Sequence, residues 1–159
     1  MVSAGLDMLE ESLVKKLDIM KKIQEENARQ KDILSDPLKI SEEAFDKTID
    51  TKGRYIDELI ALDDGFQSLF DRVKAEIGAN RKEYAVQIGR MQELIREITA
   101  ASASIEAEEH RNKKLAEKGF STVRQQMNQN KQSSAAAFNY YQTMNNFKNI
   151  PPQFMDQKN

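Results

Sequence analysis

The sequence has no cysteine, no tryptophan, a single histidine, three prolines and six glycines. Without cysteine there can be no disulfide framework and no thiolate metal site, and the expected setting is cytoplasmic. So few prolines and glycines leave little turn chemistry for a many-stranded sheet. No stretch approaches the ~20 consecutive apolar residues of a membrane span. The opening "MVSAGLDMLEESLVKK" has no apolar run like that of a secretory signal, so no membrane partner is expected. An excess of one charge is also lacking. The formal net charge is -2, whereas a sequence-independent nucleic-acid binder is usually basic, and that class is set aside.

What is present favours long helices. Charged residues make up 31% of the 159 residues and hydrophobic ones 39%, enough for the thin core of a bundle. Leu6, Leu9, Leu13, Leu17, Met20 and Ile23 recur at steps of three and four, a helical stripe. Asp7 and Glu10 have capping-box spacing near its start. The stripe weakens at Asn27, and "SDPLKIS" ends the helix because Pro37 disfavours helical geometry at Asp36. Ser41 offers an N-cap, with Glu42 and Glu43 in the first turn. The second stripe is Phe45, Ile49, Lys52, Ile56, Leu59, Leu62, Phe66, Phe70, Val73, Ile77. Its mean step of about 3.56 residues predicts little supercoiling. Only Lys52 interrupts its apolar character, and Gly53 and Gly65 weaken the helix without ending it.

"IGANRKE" punctuates the chain next. Gly78 suits the C′ position, Asn80 with Glu83 has capping-box spacing, and the short connection implies antiparallel neighbours. The third stripe is Tyr84, Ile88, Met91, Ile95, Ile98, Ser102, Ile105. It fades into "EAEEHRNKKLAEKG", expected to be helical and mostly solvated, with sparse apolar points at Leu115, Phe120, Val123 and Met127. At ~1.5 Å per residue the second helix spans ~55 Å and the third, if it runs to about residue 127, ~65–70 Å, so the third is expected to overhang its partners. Residues 1–130 then form the helical part and 131–159 a polar linker with an apolar C-terminal segment. No internal repeat is visible.

Signals for catalysis are weak. The one histidine, His110, stands a turn after Glu106, but a di-iron bundle needs Glu-x-x-His on two helices. "GANRKE" lacks the glycines and the Lys-Ser/Thr of a phosphate loop. "LDDGF" lacks the alternating ligands of a calcium loop, and Asp63 and Asp64 are expected to face solvent. No Gly-x-Ser-x-Gly elbow occurs. No catalytic, cofactor-binding or metal-binding residue is assigned, and no cofactor is expected.

The stripes themselves read as core through Ile105. The C-terminal "AAAFNYYQTMNNF" places Ala137, Tyr140, Tyr141, Met144 and Phe147 at helical steps, and three readings stay open. It folds back on the bundle, it docks on another chain by i, i+3, i+4 anchors, or it stays disordered. Pro151 and Pro152 end any helix there.

"YIDELIALDDGFQSLFDRVKAEI" and the ending "IPPQFMDQKN" resemble the FlgN-like flagellar export chaperones, a type III export chaperone family. The likeness spans most of the chain. It implies a long antiparallel helical hairpin with a third helix, in keeping with the fold read from the stripes: all-α, an antiparallel bundle of three long helices with a short C-terminal helical or extended segment. It further implies a role in bacterial flagellum biogenesis and protein export, not an enzyme. Such a chaperone binds the C-terminal segments of hook–filament junction (hook-associated) proteins in the cytoplasm, prevents premature assembly and delivers them to the export gate, a second partner. The family's client contacts concentrate in its C-terminal helical part. Here they map onto Leu115, Phe120, Val123 and Met127, and onto Phe138, Tyr140, Tyr141 and Met144, with Tyr140 or Tyr141 available for the gate. The polar tract at 124–134 departs from a continuous binding helix. The alternative is a structural coiled-coil subunit that assembles with copies of itself, and a homodimer stays open.

Overall fold

The computed structural model describes residues 2–127 and residue 140, with side chains at 4–125 and 140. Among these residues there is no strand, and the all-α expectation holds. Helix α1 is Val2–Leu34, α2 is Glu42–Ile77 and α3 is Ala85–Met127, with a 3-10 helix at Asn80–Tyr84 between the last two. Their 33, 36 and 43 residues correspond to about 50, 54 and 65 Å.

The connections follow local chemistry. Ser35 and Asp36 leave α1, and the Leu38 amide donates to the Asp36 carboxylate at 3.0 Å, an Asx-type turn. Ser41 caps α2 as expected, its hydroxyl accepting from the Ala44 amide at 3.2 Å. At the other end Gly78 has φ +46°, and its amide donates to the Lys74 carbonyl. Two expected capping boxes do not form. Asp7 and Glu10 lie inside α1, which starts at Val2, and both accept from Gln87 of α3 instead. Asn80 and Glu83 fall within the 3-10 helix, whose cap position, Ala79, supplies no side-chain bond. The tight turn after Gly78 leaves no extended residue for a cap.

The packing partners fix direction and register. From α1 to α2, Lys16 meets Asp63 at 2.7 Å, Asn27 meets Lys52 at 2.7 Å and Gln30 meets Thr48 at 3.1 Å, so the residue numbers run in opposite senses. From α1 to α3, Asp7 accepts from Gln87 at 2.6 Å, Glu10 from Arg90 at 2.9 Å, and Gln30 from Asn112 at 3.0 Å. Those numbers run in the same sense. Helix α1 packs along both partners, and all three stripes meet in one core. Leu6, Leu9, Leu13, Met20 and Ile23 face Ile56, Leu59, Phe66 and Val73 of α2 and Met91, Ile95, Ile98 and Ile105 of α3 within it. Burial of such side chains is worth ~1.5–3 kcal/mol each and outweighs the glycines at 53 and 65.

The overhang expected of α3 is short among the described residues. Helix α3 starts beside the first turns of α1, and the α1–α2 connection and the start of α2 reach it at residues 119 and 120. Ile40 lies against Gly119, and Phe45 meets the Phe120 ring edge-on, with centroids 5.0 Å apart and planes at 78°. Only about the last two turns of α3 extend past these contacts. The comparison of helix lengths left out the cover supplied by the end of α1, the connecting segment and the first turn of α2.

Candidate functional site

All three stripes carry polar residues at one level of the bundle. Helix α1 turns Asn27 and Gln30 inward, α2 Thr48 and Lys52, and α3 Glu109 and Asn112. Each pair is spaced three or four residues apart, so its members share a helix face. Tyr140 joins them from beyond α3 and is 4% exposed, while Lys52 is 0% exposed.

Lys52 is the hub. Its Nζ donates to Asn27 Oδ1 at 2.7 Å, to Gln30 Oε1 at 3.0 Å and to both Glu109 oxygens at 3.0 Å. The amides extend the network. Asn112 Nδ2 donates to the Asn27 carbonyl and to Gln30 Oε1, each at 3.0 Å. Gln30 Nε2 donates to Thr48, whose hydroxyl in turn donates to the Phe45 carbonyl at 2.6 Å. Asn27 Nδ2 reaches Glu108 at 2.9 Å. The Tyr140 hydroxyl donates to Glu109 Oε2 at 2.5 Å, and the Lys52 ammonium lies 4.1 Å from the centre of the Tyr140 ring. The phenol thus meets the carboxylate with its hydroxyl and the ammonium with its π face.

Burial pushes the Lys52 ammonium down to about 8 from its ordinary 10.5, opposed mainly by the Glu109 carboxylate. Taking both charges out of water costs several kcal/mol per ion, and mutual attraction repays this only when the remaining protons and lone pairs are also satisfied. Here the amides and the phenol satisfy them. A lysine placed this way holds the three helices to one register, because sliding any helix by one residue would bury the charge unpaired.

A second ion pair, with its lysine buried and its aspartate half-buried, lies nearer the α1 amino end. Lys16 pairs with Asp63, which was expected to face solvent, whereas Asp64 is exposed. Asp63 lies on the α1 side of the α2 stripe, within reach of the lysine. Burial raises its carboxyl despite Lys16, and its second oxygen has no hydrogen-bond partner among the described residues.

The candidate partner-binding residues fall into three sets. Phe120 is buried and Leu115 and Val123 are half-buried, while Met127 closes α3 with its side chain outside the described ones. Tyr140 is buried in the polar node. Phe138, Tyr141 and Met144 lie outside the described residues. The far half of α3, expected to be mostly solvated, instead buries Glu109, Asn112, Ala116 and Phe120 on one face. The signal was there: Ile105, Glu109, Asn112, Ala116 and Phe120 continue the spacing of the third stripe with polar members. Asn27 and Gln30 do the same for the first.

His110 is exposed, and among the described residues no group of three or more His, Cys, Asp or Glu side chains is placed to hold a metal ion. No helix among them is long and apolar enough to cross a membrane. No protein-family profile, curated protein sequence or solved structure matches the chain.

Proposed function

We propose that this chain is a flagellar type III export chaperone, a binding protein and not an enzyme. It works in the cytoplasm as an antiparallel three-helix bundle that holds the C-terminal segments of hook–filament junction proteins. The observation that carries this reading is the seat of Tyr140. A residue of the apolar C-terminal segment is buried against the far half of α3, where the family likeness places client contacts. A side chain held on the bundle by polar contacts can exchange with a client side chain at modest cost. Leu115 and Val123, half-buried beside Phe120, supply apolar contact at the same end. Covering a client's apolar face at ~25 cal/mol per Å² suppresses its self-association and needs no nucleotide.

The test is a titration of a junction-protein C-terminal peptide onto the full chain and onto a version ending at Ser134, which lacks Tyr140. The expected result is a defined complex with different affinities for the two. Equal affinity removes the C-terminal segment from the reading, and no complex with either chain removes the chaperone. A stable oligomer without any client, seen by sedimentation, supports the self-assembling subunit instead.

A further inference from the structure

The contacts around Tyr140 match a phenol point for point. A carboxylate oxygen of Glu109 accepts its hydroxyl proton at 2.5 Å, and an ammonium lies 4.1 Å from the ring centre. Both charged groups are fixed from behind, Lys52 by Asn27 and Gln30 and Glu109 by Lys52. The cradle is therefore built by α1, α2 and α3, whose own side chains hold Lys52 and Glu109 in place, and Tyr140 adds one hydrogen bond and the ring contact. Phenylalanine would leave the Glu109 oxygen without its donor, and an aliphatic side chain would also forfeit the cation–π contact. The occupant comes from outside the helices. Glu109 lies about 27 Å from the end of α3, a distance that the residues up to Tyr140 can span within one chain, since extended chain reaches at most ~3.3–3.6 Å per residue.

We propose that the Lys52–Glu109 pair is a tyrosine-binding socket. In the free chain Tyr140 holds it, and a partner segment that presents a tyrosine takes the same place. This deepens the client-binding reading by naming the side chain the bundle recognises, and it rests on that reading for the identity of the partner.

The probe is p-cresol, the tyrosine side chain alone, with toluene as the control that lacks the hydroxyl. In the full-length Tyr140→Ala variant p-cresol should bind and raise the thermal midpoint, with an affinity about tenfold or more above that of toluene. Adding Glu109→Gln to Tyr140→Ala should shrink that preference. Equal stabilisation by the two compounds reduces the site to an apolar cavity and overturns the socket, and so does no stabilisation by either. Should Tyr140→Ala fail to fold, the wild-type chain carries the test through 3-fluorotyrosine labelling, with the Tyr140 resonance assigned by its loss in Tyr140→Phe. Saturating p-cresol should shift that resonance to a solvent-exposed position, and an unmoved resonance makes Tyr140 a permanent part of the fold. These outcomes are independent of the client titration, so the socket can fail while the chaperone stands, or stand while the chaperone fails.

Discussion

Lys52 and Glu109 form a buried pair whose value depends on completeness. Removing one partner leaves a buried charge alone, so Glu109→Ala should cost about 3–5 kcal/mol in a denaturant melt. Replacing both, as Lys52→Met with Glu109→Leu, should cost far less than the two single changes added together, and additive losses in that double-mutant cycle would refute direct coupling. The pH response follows from the depressed lysine. With a folded value of about 8 and an unfolded value near 10.5, the unfolded chain holds the proton more tightly between those limits. Stability contributed at this site therefore rises with pH through that window, by on the order of 3 kcal/mol in all. Below pH 8 both states are protonated and the cost of burying the charge is fully present. The stability difference between wild type and Lys52→Met, followed from pH 7.5 to 10.5, should shift in favour of wild type. A difference that stays flat across that range would contradict the burial. The sequence marked Lys52 as the one break in the second stripe, but not its partner. Glu109 is one of several carboxylates in "EAEEHRNKK", and only the register of three helices selects it.

Helix ends and close approaches were legible to different degrees. Ser41, Gly78 and the turn at Asp36–Pro37 were readable because capping and proline act over a few residues. Ser41→Ala should cost about 1 kcal/mol, measured by urea unfolding. Gly119 was not readable as anything but a glycine late in a helix. A Cβ there would collide with the Ile40 side chain, in the segment that joins α1 to α2. The atom it meets is the tip of a half-buried side chain that can turn aside, so Gly119→Ala should gain less than the ~1 kcal/mol that the helix propensity of alanine alone would give. In an Ile40→Ala background the same change should recover the full gain. If Gly119→Ala alone already gains the full amount in a urea melt, the connection does not cover α3 as described. The two false capping boxes carry a related lesson. Side-chain spacing alone cannot tell a helix start from a helix interior whose carboxylates reach across to another helix, as Glu10 does to Arg90. That bond holds the Glu10 carboxyl below its ordinary value.

The molecule as a whole is built around α1, the shortest of its three long helices, which packs along both of the others. Its apolar stripes were visible in the sequence because their spacing is nearly regular, and they account for the core through Ile105. The polar level was overlooked because a charged residue on a stripe reads as a break until its partners are known. The covered far half of α3 was missed because helix lengths were compared without the polar end of α1, Lys52 of α2 and the connecting segment. Hydrogen exchange should find the amides around Asn27, Lys52 and Glu109 among the slowest, since a satisfied polar network opens only with the surrounding helices. Fast exchange there, with slow exchange around Leu13 and Ile95, would show that the level opens independently. The same enclosure makes Lys52 a built-in reporter. An amine-reactive reagent should modify the surface lysines promptly and spare this one while the helices stay closed. Once exposed, Lys52 becomes one more reactive amine, so the rate of its acetylation, timed against its neighbours by mass spectrometry, counts how often the middle of the molecule opens. Displacement of Tyr140 from its seat would change that rate in a chain that carries no engineered probe.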